Sequence, residues 1–253
     1  MKFIWVWNGK KIKQLSIILI AAFFTAGLLY VERDQLMVFS TSEGPQAFYK
    51  ADIEEKKIAL TFNISWGDNR TLPILDVLKD RDVENTTFFL SGAWAERHPD
   101  VVERIVEDGH EVGNHGFQYK DYPGWDDQKI RRDIRTSHDI LSEMIDDNPT
   151  LLRPPNGNFD KDVLNLADAE GYTIAHWSID SKDYTNPGVD QIVDNVLQQV
   201  DPGEVILMHA SDSVKQTHKA LPIIIDQLKN EGYEFVTISE LIASTDTKTE
   251  EID

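Results

Sequence analysis

The residues best suited to proton transfer follow apolar stretches of the sequence. His209 comes directly after the apolar run 205–208, and Asp183 follows another apolar run by a few residues. A carboxylate beside an imidazole can orient the ring and raise its basicity. His209 could therefore transfer the proton while Asp183 orients the imidazole. Taken alone, His209 is better explained as a structurally satisfied, hydrogen-bonded histidine at the rim of a fold.

Further polar groups follow three other apolar stretches. Residues 61–68 read Thr-Phe-Asn-Ile-Ser-Trp-Gly-Asp, residues 113–115 read Gly-Asn-His with Tyr119 four positions later, and residues 153–157 begin with Arg153. In a parallel barrel, the site lies at the C-terminal ends of the strands. We therefore expect all of these groups to converge on one rim.

The elements that would hold these groups alternate regularly along the chain. Strands are predicted at residues 57–64, 86–91, 110–115, 151–155, 172–180, 204–210 and 235–238, and helices at 71–80, 94–108, 125–145, 161–170, 189–200 and 216–230. Strands that alternate with helices predict a parallel sheet with crossover helices. About seven such units favour a distorted or incomplete (β/α) barrel, in the α/β class.

Composition excludes several kinds of site. The chain has no cysteine, which excludes disulfides and thiolate zinc centres. Its formal net charge is -19, and residues 1–31 carry four lysines and no acid. The remainder therefore has 44 acids against 25 − 4 = 21 basic residues, a balance of −23. Such an acidic surface repels phosphate backbones, so we expect no nucleic-acid partner.

The N-terminus is typical of a membrane anchor. Residues 15–31 form an apolar run with lysines just before it, close to the shortest length that spans a bilayer. The positive-inside rule then places residues 1–14 in the cytoplasm as a basic tip and the C-terminal part outside it. We expect a single-pass protein of the cell membrane, with a tether at 32–56, a domain at 57–243 and a disordered tail at 244–253. A signal peptide cleaved after Gly27 is the alternative.

Together, the order and spacing of these groups resemble the motifs of the polysaccharide deacetylase family, also called NodB-homology or carbohydrate esterase family 4. The resemblance extends from about residue 57 to residue 242 and includes the stretches 86–90, 109–115 and 153–155. It implies the NodB-homology fold and a peptidoglycan or related amino-sugar glycan as the partner. The apolar N-terminus and residues 64–68 and 94–99 look specifically like the sporulation branch called PdaB.

The resemblance implies a metal-dependent amide hydrolase, from which this sequence departs. Family members hold a divalent metal such as zinc with one Asp and two His, and use a second Asp as the base. Here Asn63 stands at the base position and cannot accept a proton at neutral pH. Ile64 and Tyr119 replace two of the metal ligands, which leaves His115 as the one retained ligand position. We expect zinc not to be bound tightly.

The other half of the family's site is retained. By the resemblance, His209 has the position of the general acid, Asp183 that of its orienting partner, and Arg153 that of the residue paired with the base. Because Asn63 offers no carboxylate, we expect Arg153 to hold a substrate oxygen instead. The predicted substrate-binding residues are Leu207 in the acetyl-methyl pocket, Tyr184 in place of a usual Trp, and Trp66 near the mouth.

Three functions stay open on the sequence. The leading hypothesis is a membrane-anchored protein that binds cell-wall glycan during sporulation, with weak or absent metal-dependent activity. The second is an active N-deacetylase or other glycan hydrolase with a rearranged site, in which Asp68, as a substitute base or ligand, or a bound water network acts with His115 and His209. Asp68 could instead cap the helix predicted to begin at Thr71, because short acids often do so. The third is a membrane scaffold without catalysis.

Overall fold

The computed structural model describes Ser40, Thr41 and residues 44–246. The predicted cytoplasmic tip, the predicted membrane anchor and residues 247–253 of the predicted tail lie outside this part. Among the described residues, none of the helices combines the length and the apolar character that crossing a membrane requires. All of the elements below belong to one unit of the chain, which begins at Ser40.

Ten strands and eight α-helices make up the described chain. The strands are β1 (Ser40–Thr41), β2 (Gly44–Pro45), β3 (Lys57–Ile64), β4 (Thr87–Leu90), β5 (Glu111–Asn114), β6 (Leu151–Leu152), β7 (Thr173–Ile174), β8 (Ile179–Asp180), β9 (Val205–His209) and β10 (Glu234–Val236). The helices are α1 (Thr71–Lys79), α2 (Gly92–Ala95), α3 (Pro99–Glu107), α4 (Asp127–Ile145), α5 (Lys161–Ala169), α6 (Val189–Leu197), α7 (Thr217–Asn230) and α8 (Ile238–Asp246), with 3₁₀ turns at Pro155–Gly157 and Asp183–Thr185.

A curled parallel sheet carries the site. Its strands run in the order β7-β6-β5-β4-β3-β9-β8. Strand β10 pairs with residues 57–59 at the start of β3, whereas β4 pairs with residues 61–64 at the end of β3. Among the described strands, β7 and β8 are not paired with each other, so the sheet curls without closing. The predicted incomplete barrel of about seven strands is confirmed. Strands β1 and β2 form a separate antiparallel pair.

The two central strands divide their side chains between two layers. In β3 and β9, alternate residues belong to the apolar cluster that also contains the buried faces of the helices; these are Ile58, Leu60, Phe62, Ile64, Ile206 and Met208. Because successive side chains of a strand point to opposite faces, Thr61, Asn63, Leu207 and His209 face the concave side of the sheet. The alternation therefore brings the polar residues of both strands into the barrel mouth.

Two predicted elements are each divided in the structure. The helix predicted at 94–108 is two helices, because Pro99 begins α3, and proline lacks the N–H that a continuing helix requires. The strand predicted at 172–180 becomes β7 and β8, which lie at opposite ends of the strand order. Residues 175–178 therefore carry the chain from one edge of the sheet to the other.

Both boundaries of the predicted domain differ from the structure. Within the predicted tether, Phe48 N donates to Ile174 O at 2.8 Å, and Ala51 N donates to Gly203 O at 2.8 Å. Phe48 and Ala51 are buried, so this segment packs against the open edge of the sheet. At the other end, α8 continues to Asp246, beyond residue 243 where the predicted domain ends.

Candidate active site

Asn63 and His209 are neighbours at the C-terminal end of the sheet. The two residues are register partners of the parallel strands β3 and β9, and both face the concave side. Asn63 is 5% exposed, whereas the His209 side chain is 16% exposed. The base position and the acid position of the predicted site are therefore adjacent on the rim where the sequence predicts that the polar groups converge.

A buried carboxylate holds His209 in one orientation. Asp183 Oδ1 lies 2.7 Å from His209 Nδ1, and Asp183 Oδ2 accepts from His209 N at 2.8 Å and from Thr217 Oγ1 at 2.8 Å. Because a carboxylate only accepts, the Nδ1 atom carries the proton and donates it. His209 Nε2 has no partner among the described residues, so it is the atom that faces the mouth and can exchange protons.

Arg153 is fully buried and bonds only neutral acceptors. Its Nη1 donates to Asn63 Oδ1 at 3.0 Å and to Thr61 Oγ1 at 2.9 Å. Its Nε donates to Ala175 O at 3.0 Å, and its Nη2 donates to His176 O at 2.8 Å. Burial lowers the pKa of Arg153 to about 9. The structure differs from the expectation that Arg153 holds a substrate oxygen. The side chain instead links β3 to the segment that follows β7 through these hydrogen bonds.

The bond from Arg153 also fixes the amide of Asn63. Since the guanidinium only donates, Asn63 must present Oδ1 to it, and the Nδ2 amino group must turn the other way. The described residues offer no acceptor to Nδ2. At the position where the family has a proton-accepting carboxylate, this pocket therefore presents an N–H donor.

His115 is a buried, neutral imidazole with one unused nitrogen. Its Nδ1 donates to Arg153 O at 2.6 Å, whereas Nε2 is buried without a partner. Burial is the largest cause that lowers the pKa of His115, to about 3, although the bond to Arg153 O opposes it. The nearby charges of Arg153 and His209 lower it further. Nε2 thus has a lone pair available, as a single metal ligand would.

The residues around His115 do not complete a metal site. Ile64 belongs to the apolar cluster on the helix side of the sheet, and the ring centroid of Tyr119 lies 5.0 Å from that of His115. Within the part of the chain that the structure describes, no group of three His, Cys, Asp or Glu side chains could hold a metal ion. One imidazole is too small a ligand set for zinc, so these residues do not fit the family's metal.

The loop after β3 is held by an acid that the sequence analysis missed. Helix α1 has Arg70 as its N-cap residue, and the carboxylate of Asp212 accepts from Arg70 N at 3.0 Å. The expectation that Asp68 caps this helix is therefore wrong. Asp212 also approaches Gly67 so closely that a Cβ there would lie 2.2 Å from its Cγ atom, and the φ of Gly67 is +71°. Asp212 lies far along the chain, so local spacing carried no signal of this contact.

Aromatic and apolar side chains surround the mouth. Tyr184 is 47% exposed and meets His209 edge to face, with ring centroids 5.3 Å apart. Trp66 is 53% exposed on the loop after β3. Leu207 is buried two residues before His209 on the same face of β9. The structure thus places the three predicted substrate-binding residues at or below the rim.

A further aromatic wall was not identified from the sequence as part of the site. His176 stacks on Trp177 with ring centroids 3.8 Å apart, and the Trp177 ring lies 5.6 Å from the Arg153 guanidinium. Gly157 packs so closely that a Cβ there would lie 2.3 Å from Trp177. Both residues lie in the segment between β7 and β8, where the chain leaves one edge of the sheet and the Trp177 ring comes to lie beside Arg153.

Comparison with known proteins agrees with this architecture. The family model described as Polysaccharide deacetylase matches residues 50–175. A peptidoglycan-N-acetylglucosamine deacetylase of Bacillus cereus is 35% identical over 191 residues, which are 74% of this chain and 89% of the relative. The chain belongs to the polysaccharide deacetylase family.

Solved structures show that members of this family differ in activity. The wild-type structure of a CE4 family pseudoenzyme from Bacillus anthracis matches with a TM-score of 0.73 and 29% identity, over 78% of this chain and 69% of that chain. A mutant of the same protein with restored enzymatic activity matches with the same TM-score and identity, over 78% of this chain and 71% of that chain. Family membership therefore establishes a deacetylase-like domain, while the activity of a given member depends on its own site residues.

Proposed function

We propose that this protein binds peptidoglycan glycan at the cell surface and has little or no metal-dependent deacetylase activity. The observation that carries the proposal is the ligand set around His115. Ile64 lies on the other side of the sheet, and Tyr119 offers a phenol whose pKa is raised by burial, so it stays neutral and is a poor ligand for zinc. With Asn63 presenting a donor, the pocket also lacks the base that amide hydrolysis needs.

The rim supports a binding role. Tyr184 and Trp66 expose aromatic faces of the kind that pack against sugar rings, and His209 lies between the Tyr184 ring and the buried pocket. The relative from Bacillus cereus is described as a peptidoglycan-N-acetylglucosamine deacetylase, which supports a peptidoglycan ligand for this chain. One solved relative is described as a CE4 family pseudoenzyme, so this fold occurs without the activity, which supports little or no activity in this chain.

We place this domain outside the cytoplasm on a single membrane-spanning anchor. The support is the apolar run at residues 15–31 and the lysines that precede it. A role in sporulation is part of the proposal and is supported by the resemblance of residues 64–68 and 94–99 to the PdaB branch. Scaffolding of other wall proteins would fit the same anchor.

The first experiment measures acetate release from purified peptidoglycan by the full-length chain. Reactions contain zinc, cobalt or EDTA, and His209→Ala is measured beside the wild type. We expect no acetate above the background under any condition, retention of the folded protein on sedimented peptidoglycan, and no stoichiometric zinc by elemental analysis. Metal-dependent release that His209→Ala abolishes would overturn the proposal.

A rearranged deacetylase is the second candidate. It is favoured by the intact pair of Asp183 and His209 and by Asp68, whose half-exposed carboxylate is not used to cap α1. If Asp68 is the substitute base, Asp68→Ala abolishes acetate release while Asp68→Glu retains part of it. Equal release by the wild type and Asp68→Ala would remove Asp68 from the mechanism.

A further inference from the structure

We infer that residues 48–51, which we call the strap, are a positioning element of the mouth. Docking of the strap and the orientation of Asn63 and His115 then stabilise each other. The coupling runs through a short series of hydrogen bonds that leads from the strap to Arg153. Only the ligand measurement below rests on the proposed glycan binding.

The strap is hydrogen-bonded on both sides and fills the seam where the sheet does not close. Phe48 N donates to Ile174 O at 2.8 Å, and Phe48 O accepts from His176 N at 2.7 Å, which is the pattern of a parallel strand beside β7. On the other side, Ala51 N donates to Gly203 O at 2.8 Å, just before β9 begins. The strap therefore connects the edge strand β7 with the start of β9.

One peptide group joins the strap to Arg153. The C=O of Ala175 and the N–H of His176 belong to the same planar peptide unit, and in a trans unit they point in opposite directions. The N–H donates to Phe48 O at 2.7 Å, while the C=O accepts from Arg153 Nε at 3.0 Å. A rotation of this unit that breaks the bond to the strap therefore also misdirects the acceptor of Arg153.

Arg153 in turn orients two residues of the mouth. Its Nη1 donates to Asn63 Oδ1 at 3.0 Å and so fixes the direction of that amide. Its backbone oxygen accepts from His115 Nδ1 at 2.6 Å and so orients the imidazole. Because Arg153 is fully buried, bulk water cannot replace an acceptor that is lost, and the guanidinium has to move to find another.

A strap that only covered an apolar edge would behave differently. Phe48 is buried, so loosening it lowers the stability of the fold in either case. Without coupling, the folded molecules that remain would keep Arg153 and Asn63 unchanged, since sites that share no partner contribute independently. Strap and mouth share the peptide unit of Ala175 and His176. We therefore expect each to respond to the other, because a coupling free energy acts equally in both directions.

The first test loosens the strap and observes the mouth in the full-length, ¹⁵N-labelled protein. Phe48→Ala removes most of a buried side chain, and Tyr49→Ala is the matched control, because Tyr49 is 55% exposed on the same segment. We expect Phe48→Ala to speed hydrogen exchange at Arg153 Nε about tenfold and to shift the side-chain amide signals of Asn63. Tyr49→Ala should change neither.

The second test perturbs the mouth and observes the strap. Asn63→Ala removes one acceptor of Arg153, and we expect the backbone amides of Phe48 and Ala51 to exchange about threefold to tenfold faster. Asn148→Ala, at an exposed position outside this series of bonds, should leave both amides unchanged. A saturating muramidase digest of peptidoglycan should have the opposite effect on the wild type and slow the exchange of both amides.

Unchanged Arg153 and Asn63 signals in a folded Phe48→Ala protein would overturn the inference, and so would equal changes in Tyr49→Ala. If Phe48→Ala does not fold, Asn63→Ala decides alone, and strap amides that exchange as in the wild type refute the coupling. The ligand measurement separates this failure from that of the proposed function. Fragments that bind without slowing the strap amides refute only the inference, whereas fragments that do not bind refute the proposed function and leave the two variant tests to decide the coupling.

Discussion

Asn63→Asp should make the protein more stable, although it replaces a residue that is already hydrogen-bonded. The substituted oxygen stays 3.0 Å from Arg153 Nη1, where the neutral amide oxygen now lies. A hydrogen bond to a charged group contributes about 1.5–3 kcal/mol, against about 0.5–1.5 kcal/mol for a neutral one. The gain of about 1–1.5 kcal/mol is opposed by burial of the carboxylate and supported by neutralising the buried Arg153 charge.

We expect a net increase of about 1–2 kcal/mol in the free energy of unfolding at pH 7. For a domain of this size, each kcal/mol raises the melting temperature by about 2–4 °C. The new carboxylate should have a folded pKa below its ordinary value of about 3.9, because Arg153 favours the charged form. Its stabilisation is therefore complete above the unfolded pKa and disappears as the pH falls through the folded pKa.

The assay is urea denaturation at pH 7 and at pH 3, with Asn148→Asp as the matched control. Asn148 is exposed, so the same change there should alter stability by less than about 0.5 kcal/mol. A variant that is as stable as the wild type at pH 7, or less stable, would contradict the reasoning. Residue 63 would then not experience the Arg153 charge.

Three further predictions concern the supports of the site. Asp183→Ala should reduce the free energy of unfolding by about 3–5 kcal/mol in urea denaturation, because it leaves the donors of His209 and a buried threonine unpaired; a loss below about 1 kcal/mol would contradict this. Gly67→Ala should cost about 2 kcal/mol or more, measured by melting temperature, since it combines a φ of +71° with a clash against Asp212; an unchanged melting temperature would refute it. Burial lowers the pKa of His110 below its ordinary value of about 6.5, so the unfolded chain binds more protons than the folded one below that pH and stability falls there. At pH 5.5 the penalty is at most about 1.4 kcal/mol, and His110→Gln should lose less stability than the wild type between pH 7.5 and pH 5.5.

Much of the architecture could be predicted from the sequence, because the strands that position the site carry strong periodic signals. The bounds of β3 agree with the predicted strand at 57–64, and the polar residues at or just after the ends of β5, β6 and β9 lie at one rim. Apolar residues that alternate along a buried strand leave little choice of face. The motif order predicted that Asn63 and His209 share one rim, whereas their pairing in register on neighbouring strands is seen only in the structure.

The remaining features depended on contacts between distant residues. Asp212 holds the N-terminus of α1 from the loop after the neighbouring strand β9, and no local pattern distinguished it from Asp68. The division of residues 172–180 into β7 and β8 also has no local marker, since the whole run is compatible with a strand. The segment between β7 and β8 turns the backbone carbonyls of Ala175 and His176 toward Arg153. The burial of Arg153 and its neutral hydrogen-bond partners could therefore not be inferred from the sequence motif that contains it.

The segment around Phe48 and Ala51 sets the smallest part of the chain that should fold. Phe48 O accepts from His176 N at 2.7 Å, and Lys50 pairs with Glu204 at 3.2 Å, so the segment covers an edge of the open sheet. A shortened protein that starts at Lys57, where the sequence motifs begin, would leave the backbone groups of His176 and Gly203 exposed. Unpaired sheet edges recruit other strands. Such a truncation should aggregate during purification, whereas one that starts at Ser40 should remain monodisperse.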